Sequence, residues 1–131
     1  MPDGTKKRLL VVEDERLIGL YLMELLTELK YDVCAQTSSG LSALKIAERD
    51  RPDLAIVDIG LVGNMDGIST ALHLRERFNI PTIFLSGTSD AVLLERAQAA
   101  QCLGFIQKPF MPDDIERAVK AAFARDPNGG C

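Results

Sequence analysis

Polar and charged side chains follow four of the five short apolar runs in this sequence. Glu13 and Asp14 come after the first run, Asp58 after the third, Ser86 after the fourth and Lys108 just beyond the fifth. Carboxylates, a hydroxyl group and an ammonium group are suited to holding a divalent cation and an anionic oxygen side by side. Whether they do so depends on whether the fold brings them to one place.

The five apolar runs are rich in β-branched residues, and each is too short for a helix, which predicts strands. They are Leu9 to Val12, Val33 to Ala35, Leu54 to Val57, Thr82 to Leu85 and Gly104 to Ile106. After each run, apolar residues recur at spacings of three and four, which predicts amphipathic helices.

Residues typical of helix ends mark several of these helices. Ser38 or Ser39 is placed to cap the second helix and Asp66 the third. Pro52 would stop the second helix, and Pro112 suits the first position of the fifth.

Five strand–helix units in series predict an α/β fold, a doubly wound five-stranded parallel sheet with helices on both faces. In such a sheet, ligands bind beyond the carboxyl ends of the strands, where the winding reverses. If the strand order is the flavodoxin-like 2-1-3-4-5, strands one and three are neighbours. Glu13, Asp14 and Asp58 would then converge at one crevice.

Three converging carboxylates need a counter-charge. Two unit charges about 4 Å apart interact by roughly 4 kcal/mol at an effective dielectric constant near 20. Mg²⁺ suits such a site, because it prefers hard oxygen ligands and binds through one or two carboxylates, retained waters and a substrate phosphate. Lys108 would meet an anionic oxygen from another side.

The composition is that of an ordinary globular protein. Of 131 residues, 47% are hydrophobic and 26% charged, which predicts a single domain over 1–131. Its core would cover about 7–124, and 125–131 would be a flexible tail in which the use of Cys131 is open. With a formal net charge of −4 and few aromatic residues, direct nucleic-acid binding is not expected. Three cysteines without a CxxC pair, and one histidine, also disfavour a zinc site.

The sequence gives no sign of a membrane association. It contains no apolar stretch of about 18 residues, and the N-terminal MPDGTKKR lacks the apolar segment of a signal peptide. We therefore expect a cytoplasmic location.

Four motifs occur in order along the chain: EDE after the first strand, VDIGLVGNMDG after the third, FLSG at the fourth and QKPF after the fifth. In this combination the sequence resembles the receiver domain of bacterial two-component response regulators, the CheY-like family. The resemblance implies a regulatory phosphoprotein whose only reactions are its own phosphorylation and slow dephosphorylation. Asp58 would accept the phosphoryl group from a sensor histidine kinase or phosphotransfer protein.

The resemblance also implies a metal site. Asp14, Asp58 and the backbone carbonyl of Gly60 would ligate Mg²⁺, and Glu13 would assist through bound water. Gly60 and Thr88 stand at positions where side chains tune the lifetime of the phosphate in this family. Both offer little bulk or charge, and no lifetime is predicted from them.

Three further residues would complete the switch by the same resemblance. Lys108 would contact the phosphoryl oxygens, and the Ser86 hydroxyl would donate to the new phosphate. Phe105 would be the aromatic ring that changes position. Ser86 replaces the more frequent Thr and Phe105 the more frequent Tyr, so the ring has no hydroxyl with which to contact a partner.

The expected output surface consists of the fourth helix, the fifth strand and the fifth helix, which would bind a downstream protein. The alternative is a phosphate-independent docking module with a receiver fold, against which the intact Asp14, Asp58 and Lys108 count. The cognate kinase, the downstream target and the oligomeric state, a homodimer included, stay open, as does whether the chain stands alone or is a piece of a longer protein.

Overall fold

The structure is a computed structural model that describes residues 6–61, 63, 65–87, 90–100 and 102–125. Within these residues, five strands alternate with five helices. The strands are β1 (Arg8–Val12), β2 (Asp32–Thr37), β3 (Leu54–Asp58), β4 (Thr82–Ser86) and β5 (Gly104–Gln107). The helices are α1 (Arg16–Glu28), α2 (Gly40–Asp50), α3 (Gly67–Phe78), α4 (Ala91–Ala99) and α5 (Pro112–Ala124). None of these helices combines the length and the apolar character needed to cross a bilayer.

The strands form one parallel sheet in the order β2-β1-β3-β4-β5, which confirms the predicted α/β class and topology. The register between β1 and β3 runs from Leu9 opposite Leu54 to Val12 opposite Val57. Continuing that register by one residue brings Glu13 level with Asp58. The pairing of β1 with β3 therefore sets the relative position of the Glu13 and Asp58 carboxylates.

The two faces of the sheet are both covered, as a parallel sheet requires. Leu9 and Val11 of β1 pack with buried residues of α1 and α5, such as Leu22 and Val119. The alternate residues of β1 pack on the other face with α2, α3 and α4. Since side chains alternate along a strand, the even-numbered residues of β3 and β5 face α1 and α5.

The predicted helix ends are confirmed. Ser39 caps α2 by accepting a hydrogen bond from the N–H of Ser42 at 3.2 Å. Asp66 accepts one from the N–H of Ser69 at 2.8 Å and caps α3. Helix α5 begins at Pro112.

The strands are longer than their apolar runs indicate. Asp58 and Ser86 are the last residues of β3 and β4, although the prediction placed both just after a strand. The main-chain ladder continues past them, because the N–H of Ile59 donates to Leu85 at 2.9 Å and that of Lys108 donates to Ser86 at 2.8 Å. Backbone pairing does not depend on whether a side chain is apolar, so polar residues at strand ends stay in the sheet.

Candidate functional site

Three carboxylates meet at the carboxyl end of the sheet. One oxygen from each of Glu13, Asp14 and Asp58 lies within 4.8 Å of the others. Glu13 is 0% exposed and Asp58 6%, whereas Asp14 is half-buried. The structure thus brings together the three acids that the strand order predicted to converge.

Lys108 supplies the positive charge for this cluster. Its Nζ atom lies 2.8 Å from Oε1 of Glu13 and 3.2 Å from Oδ2 of Asp58, and the side chain is only 13% exposed. The contact with Asp58 is a hydrogen bond. The contact with Glu13 is a close ion pair between two largely buried side chains.

A third carboxylate reaches Lys108 from the solvent side. Oε1 of Glu15 accepts a hydrogen bond from Nζ of Lys108 at 3.3 Å, and the Glu15 side chain is 63% exposed. Glu15 is also the N-cap residue of α1, where the sequence indicates a negative charge near the positive end of the helix. Its contact with Lys108 joins residues 93 positions apart and was not predicted.

The protonation of the site reflects this crowding. Burial raises the pKa of Glu13 to about 7, although the ammonium of Lys108 and the N–H of Glu15 act to lower it. Burial alone would lower the pKa of Lys108, but Glu13 and Asp58 outweigh it and hold that pKa above its usual value. The lysine therefore stays charged at neutral pH. One ammonium does not fully compensate the acids around it.

Asp58 is held in place by its neighbours. Its Oδ1 atom accepts a hydrogen bond from the N–H of Gly60 at 3.0 Å, while Oδ2 binds Lys108. Behind it, a Cβ atom on Gly67 would collide with the Asp58 carbonyl oxygen and would lie 2.8 Å from its carbonyl carbon. Gly67 lies in the motif VDIGLVGNMDG, but residue types and spacing alone indicate no role for it.

The backbone that carries Glu13 is fixed on both sides. Its N–H donates to the carbonyl of Thr37 at 2.9 Å, and its carbonyl accepts from Nε2 of Gln36 at 2.9 Å. The N–H of Glu15 donates to Oε2 of Glu13 at 3.0 Å. Gln36 was also missed, since an uncharged amide next to Thr37 at the end of a strand is a weak signal.

An open crevice of about 510 Å³ lies over Asp58. Its charged and hydroxyl side chains are those of Asp14, Glu15, Asp58, Ser86 and Lys108. Ser86 is buried at the end of β4. The predicted site residues, which follow β1, end β3 and β4, or lie beyond β5, thus line or adjoin one crevice.

Phe105 lies apart from the crevice. Its ring is 39% exposed and packs at 5.8 Å and a tilt of 44° against the ring of Phe84 in the neighbouring strand. Because Phe84 belongs to the core on the α2, α3 and α4 face, Phe105 faces that side of the sheet.

Two residues that the sequence analysis named, Thr88 and Cys131, lie outside the described residues. Of the predicted tail, 125–131, the structure describes Arg125, whose guanidinium donates to the carbonyl of Leu103 at 3.2 Å.

The donor set fits a hard divalent cation. Glu13, Asp14 and Asp58 offer oxygen atoms close together, and Mg²⁺ in proteins is bound by such carboxylates with several waters retained. Burial raises the pKa of Glu13, and a nearby cation would favour its charged form.

Comparison with known proteins decides the family. A family model described as "Response regulator receiver domain" matches residues 9–120. The chain belongs to this family. Receiver domains are regulatory modules of phosphorylation-based two-component signalling, which gives the chain a signalling role.

Curated relatives of this receiver domain include transcriptional regulators. The transcriptional regulatory protein PdtaR of Mycobacterium tuberculosis is 34% identical over 119 residues, which are 91% of this chain and 58% of the relative. The alkaline phosphatase synthesis transcriptional regulatory protein PhoP of Bacillus subtilis is 32% identical over 120 residues, 91% of this chain and 49% of the relative. The chain spans about half the length of these relatives.

Solved structures agree with the receiver fold. The signal receiver domain of a modulated diguanylate cyclase from Desulfovibrio desulfuricans G20 superimposes with a TM-score of 0.85 at 35% identity, covering 91% of this chain and 94% of the other. A CheY-like response regulator receiver domain protein from Methanospirillum hungatei JF-1 gives a TM-score of 0.79 at 22% identity, covering 92% and 100%. At that identity the second likeness concerns the fold alone.

Proposed function

We propose that this receiver domain is a Mg²⁺-dependent phosphorylation switch in which Asp58 is the phosphoacceptor. The observation that carries the proposal is the placement of the Lys108 ammonium against both Asp58 and Glu13, with Asp14 alongside. The phosphodonor would be the phosphohistidine of a sensor kinase or a phosphotransfer protein. We further propose that residues 1–131 form this one domain and that it works in the cytoplasm.

The chemistry requires little from general acids or bases. A carboxylate oxygen of Asp58 forms the new O–P bond while the N–P bond of the phosphohistidine breaks, and its electron pair stays on the imidazole nitrogen. Catalysis of such a transfer depends on positioning and charge neutralisation. Lys108 supplies one positive charge, and the Gly60 N–H orients the other oxygen of Asp58.

The metal would be held by side chains that already converge. Asp14, Asp58 and the carbonyl of Gly60 would be the ligands, and Glu13 would act through water. When bound, Mg²⁺ supplies the additional charge neutralisation for the transferred group. Glu13 is buried beside Lys108, which supports an indirect role for it.

The switch would act through β4 and β5. The Ser86 hydroxyl would donate to the new phosphate, and Phe105 would change its packing in response. A cleft of about 650 Å³ runs along β5 and α5 and is lined by Phe105 and Arg117 among others. The exposed ring of Phe105 supports the α4, β5 and α5 surface as the one that binds a downstream protein.

The second candidate is a phosphate-independent docking module. Both candidates would use the receiver fold and the exposed Phe105. Only the phosphorylation switch needs the acidic crevice. The burial of Glu13 and Asp58 beside a lysine favours the switch, because such a cluster costs stability unless it serves a ligand.

The test is phosphorylation in solution. The protein is incubated with MgCl₂ and acetyl phosphate, and its intact mass is measured. We expect a gain of one phosphoryl group, which Asp58→Asn or a chelator abolishes, while Asp53→Asn, just before the opposite end of β3, behaves as the unchanged protein. No gain in the unchanged protein would favour the docking module.

A further inference from the structure

A glutamine outside the acidic crevice binds the loop that carries two of the acids. Gln36 lies near the end of β2, and its Nε2 atom donates to the carbonyl of Glu13 at 2.9 Å and to that of Thr37 at 3.2 Å. The side chain is half-buried. Its two N–H donors are thus used on the main chain at the ends of β1 and β2.

Helix α1 leaves room for this amide. Gly19 is buried on the face of α1 that covers Gln36, and a Cβ atom there would lie 2.7 Å from Nε2 and 2.8 Å from Cδ of Gln36. Glycine inside a helix costs about 1 kcal/mol relative to alanine. The close approach of Gln36 gives a physical reason for glycine at this position.

The bond to Glu13 fixes a particular peptide unit. The carbonyl of Glu13 belongs to the planar peptide that joins it to Asp14, so holding the oxygen also sets the direction in which Asp14 leaves the strand. The N–H of Glu13 is held independently by Thr37. Together these contacts orient both carboxylates toward Asp58.

We propose that Gln36 is a positioning residue that sets the affinity of the acidic crevice for a divalent cation. It touches neither the cation nor the phosphoryl group, and acts through the Glu13 to Asp14 peptide. The proposal rests on the proposed function, because it assumes that the three carboxylates bind Mg²⁺.

The test measures Mg²⁺ binding by titration calorimetry in the full chain. Gln36→Met keeps the length of the side chain and removes the amide. We expect the dissociation constant to rise about tenfold, the lower end of what loss of an outer contact to a metal ligand costs. Gln98→Met, an exposed glutamine of α4, is the matched control and should bind as the unchanged protein does.

A second measurement separates positioning from plain destabilisation. In acetyl phosphate reactions, the Mg²⁺ concentration for half-maximal phosphorylation of Gln36→Met should rise by the same factor as the dissociation constant. The rate at saturating Mg²⁺ should equal that of the unchanged protein. Gln36→Glu places a hydrogen-bond acceptor against the Glu13 carbonyl, and its Mg²⁺ requirement should rise at least as much. This variant replaces Gln36→Met in both measurements if Gln36→Met does not fold.

The outcomes distinguish the two proposals. If the unchanged protein binds no Mg²⁺ and gains no phosphoryl group, the proposed function fails. If it does both, and folded Gln36 variants keep its Mg²⁺ affinity, the positioning proposal is overturned while the proposed function stands.

Discussion

Gly67, the first residue of α3, lies directly against the main chain of Asp58, the last residue of β3. A Cβ atom on Gly67 would meet the carbonyl oxygen of Asp58 and would lie 2.9 Å from Cα of Ile59. These are backbone atoms of a central strand, which cannot move aside as a flexible side chain can. The start of α3 and the position of Asp58 therefore depend on each other.

Replacing Gly67 by alanine should push α3 away from β3. We expect Gly67→Ala to lower the free energy of unfolding by about 1 to 3 kcal/mol, as overpacking does, and to slow phosphorylation of Asp58. Urea unfolding and the intact-mass assay measure the two effects. Gly104→Ala is the control, because a Cβ atom there lies 4.0 Å from its neighbour in Ile83. Equal behaviour of the two variants would contradict this role for Gly67.

Removing the ammonium of Lys108 leaves buried carboxylates without their partner. We expect Lys108→Met to lower the free energy of unfolding by about 3 kcal/mol when a chelator is present. MgCl₂ should stabilise this variant more than the unchanged protein, because the cation replaces the missing charge.

Urea unfolding with chelator and with MgCl₂ gives both quantities for Lys108→Met. Lys120→Met removes an exposed lysine paired with Glu116 and should leave the free energy of unfolding nearly unchanged, because exposed ion pairs contribute little to stability. The same Mg²⁺ stabilisation in Lys108→Met and in the unchanged protein would argue against cation binding beside Lys108.

Glu15 places an exposed negative charge at the edge of the crevice. Glu15→Gln should change the free energy of unfolding by less than about 1 kcal/mol, since its ion pair with Lys108 is largely in solvent. Phosphorylation by acetyl phosphate should become faster, because the anionic donor is repelled less. The rate difference should shrink at high salt, where exposed charges are screened.

Rates measured at low salt and near 1 M salt test this role of Glu15. Glu28→Gln, at the far end of α1, should match the unchanged protein in both. A rate for Glu15→Gln that does not exceed that of the unchanged protein at low salt would be inconsistent with repulsion.

The cap of α3 gives a pH-dependent prediction. Burial would raise the pKa of Asp66, but the hydrogen bond from Ser69 and the charge of Arg96 outweigh it and lower that pKa. A lowered pKa in the folded state means that the carboxylate stabilises the fold above its ordinary pKa, and that this stability is lost as the pH falls through the folded value.

Asp66→Ala should therefore cost about 1 kcal/mol at pH 7, and the difference should shrink below about pH 4. Urea unfolding at a series of pH values measures it. Asp66→Asn keeps a capping oxygen without the charge and should cost less at pH 7, and its cost should shrink over the same pH range, because neither asparagine nor alanine titrates there. A cost for Asp66→Ala that is the same at pH 7 and pH 2 would exclude the charge as its source.

The sequence predicted those features of the site that depend on strand order. The alternation of short apolar runs with helical patterns predicted the sheet, and the sheet predicted that Glu13, Asp14 and Asp58 converge. The contacts it did not predict join residues distant in the chain, such as Glu15 and Lys108, or depend on close backbone approach, as at Gly19 and Gly67. Such contacts depend on distances of a few tenths of an ångström, which residue types and spacing do not encode.

The four residues of β5 have a mechanical consequence. Phe105 and Lys108 are three positions apart, which corresponds to about 10 Å along an extended strand. Their side chains lie on opposite faces of the sheet, but the segment between them is paired residue by residue to β4. A displacement of Lys108 would therefore reach the Phe105 ring through the backbone of β5 itself. No series of intermediate side chains would be needed to transmit it.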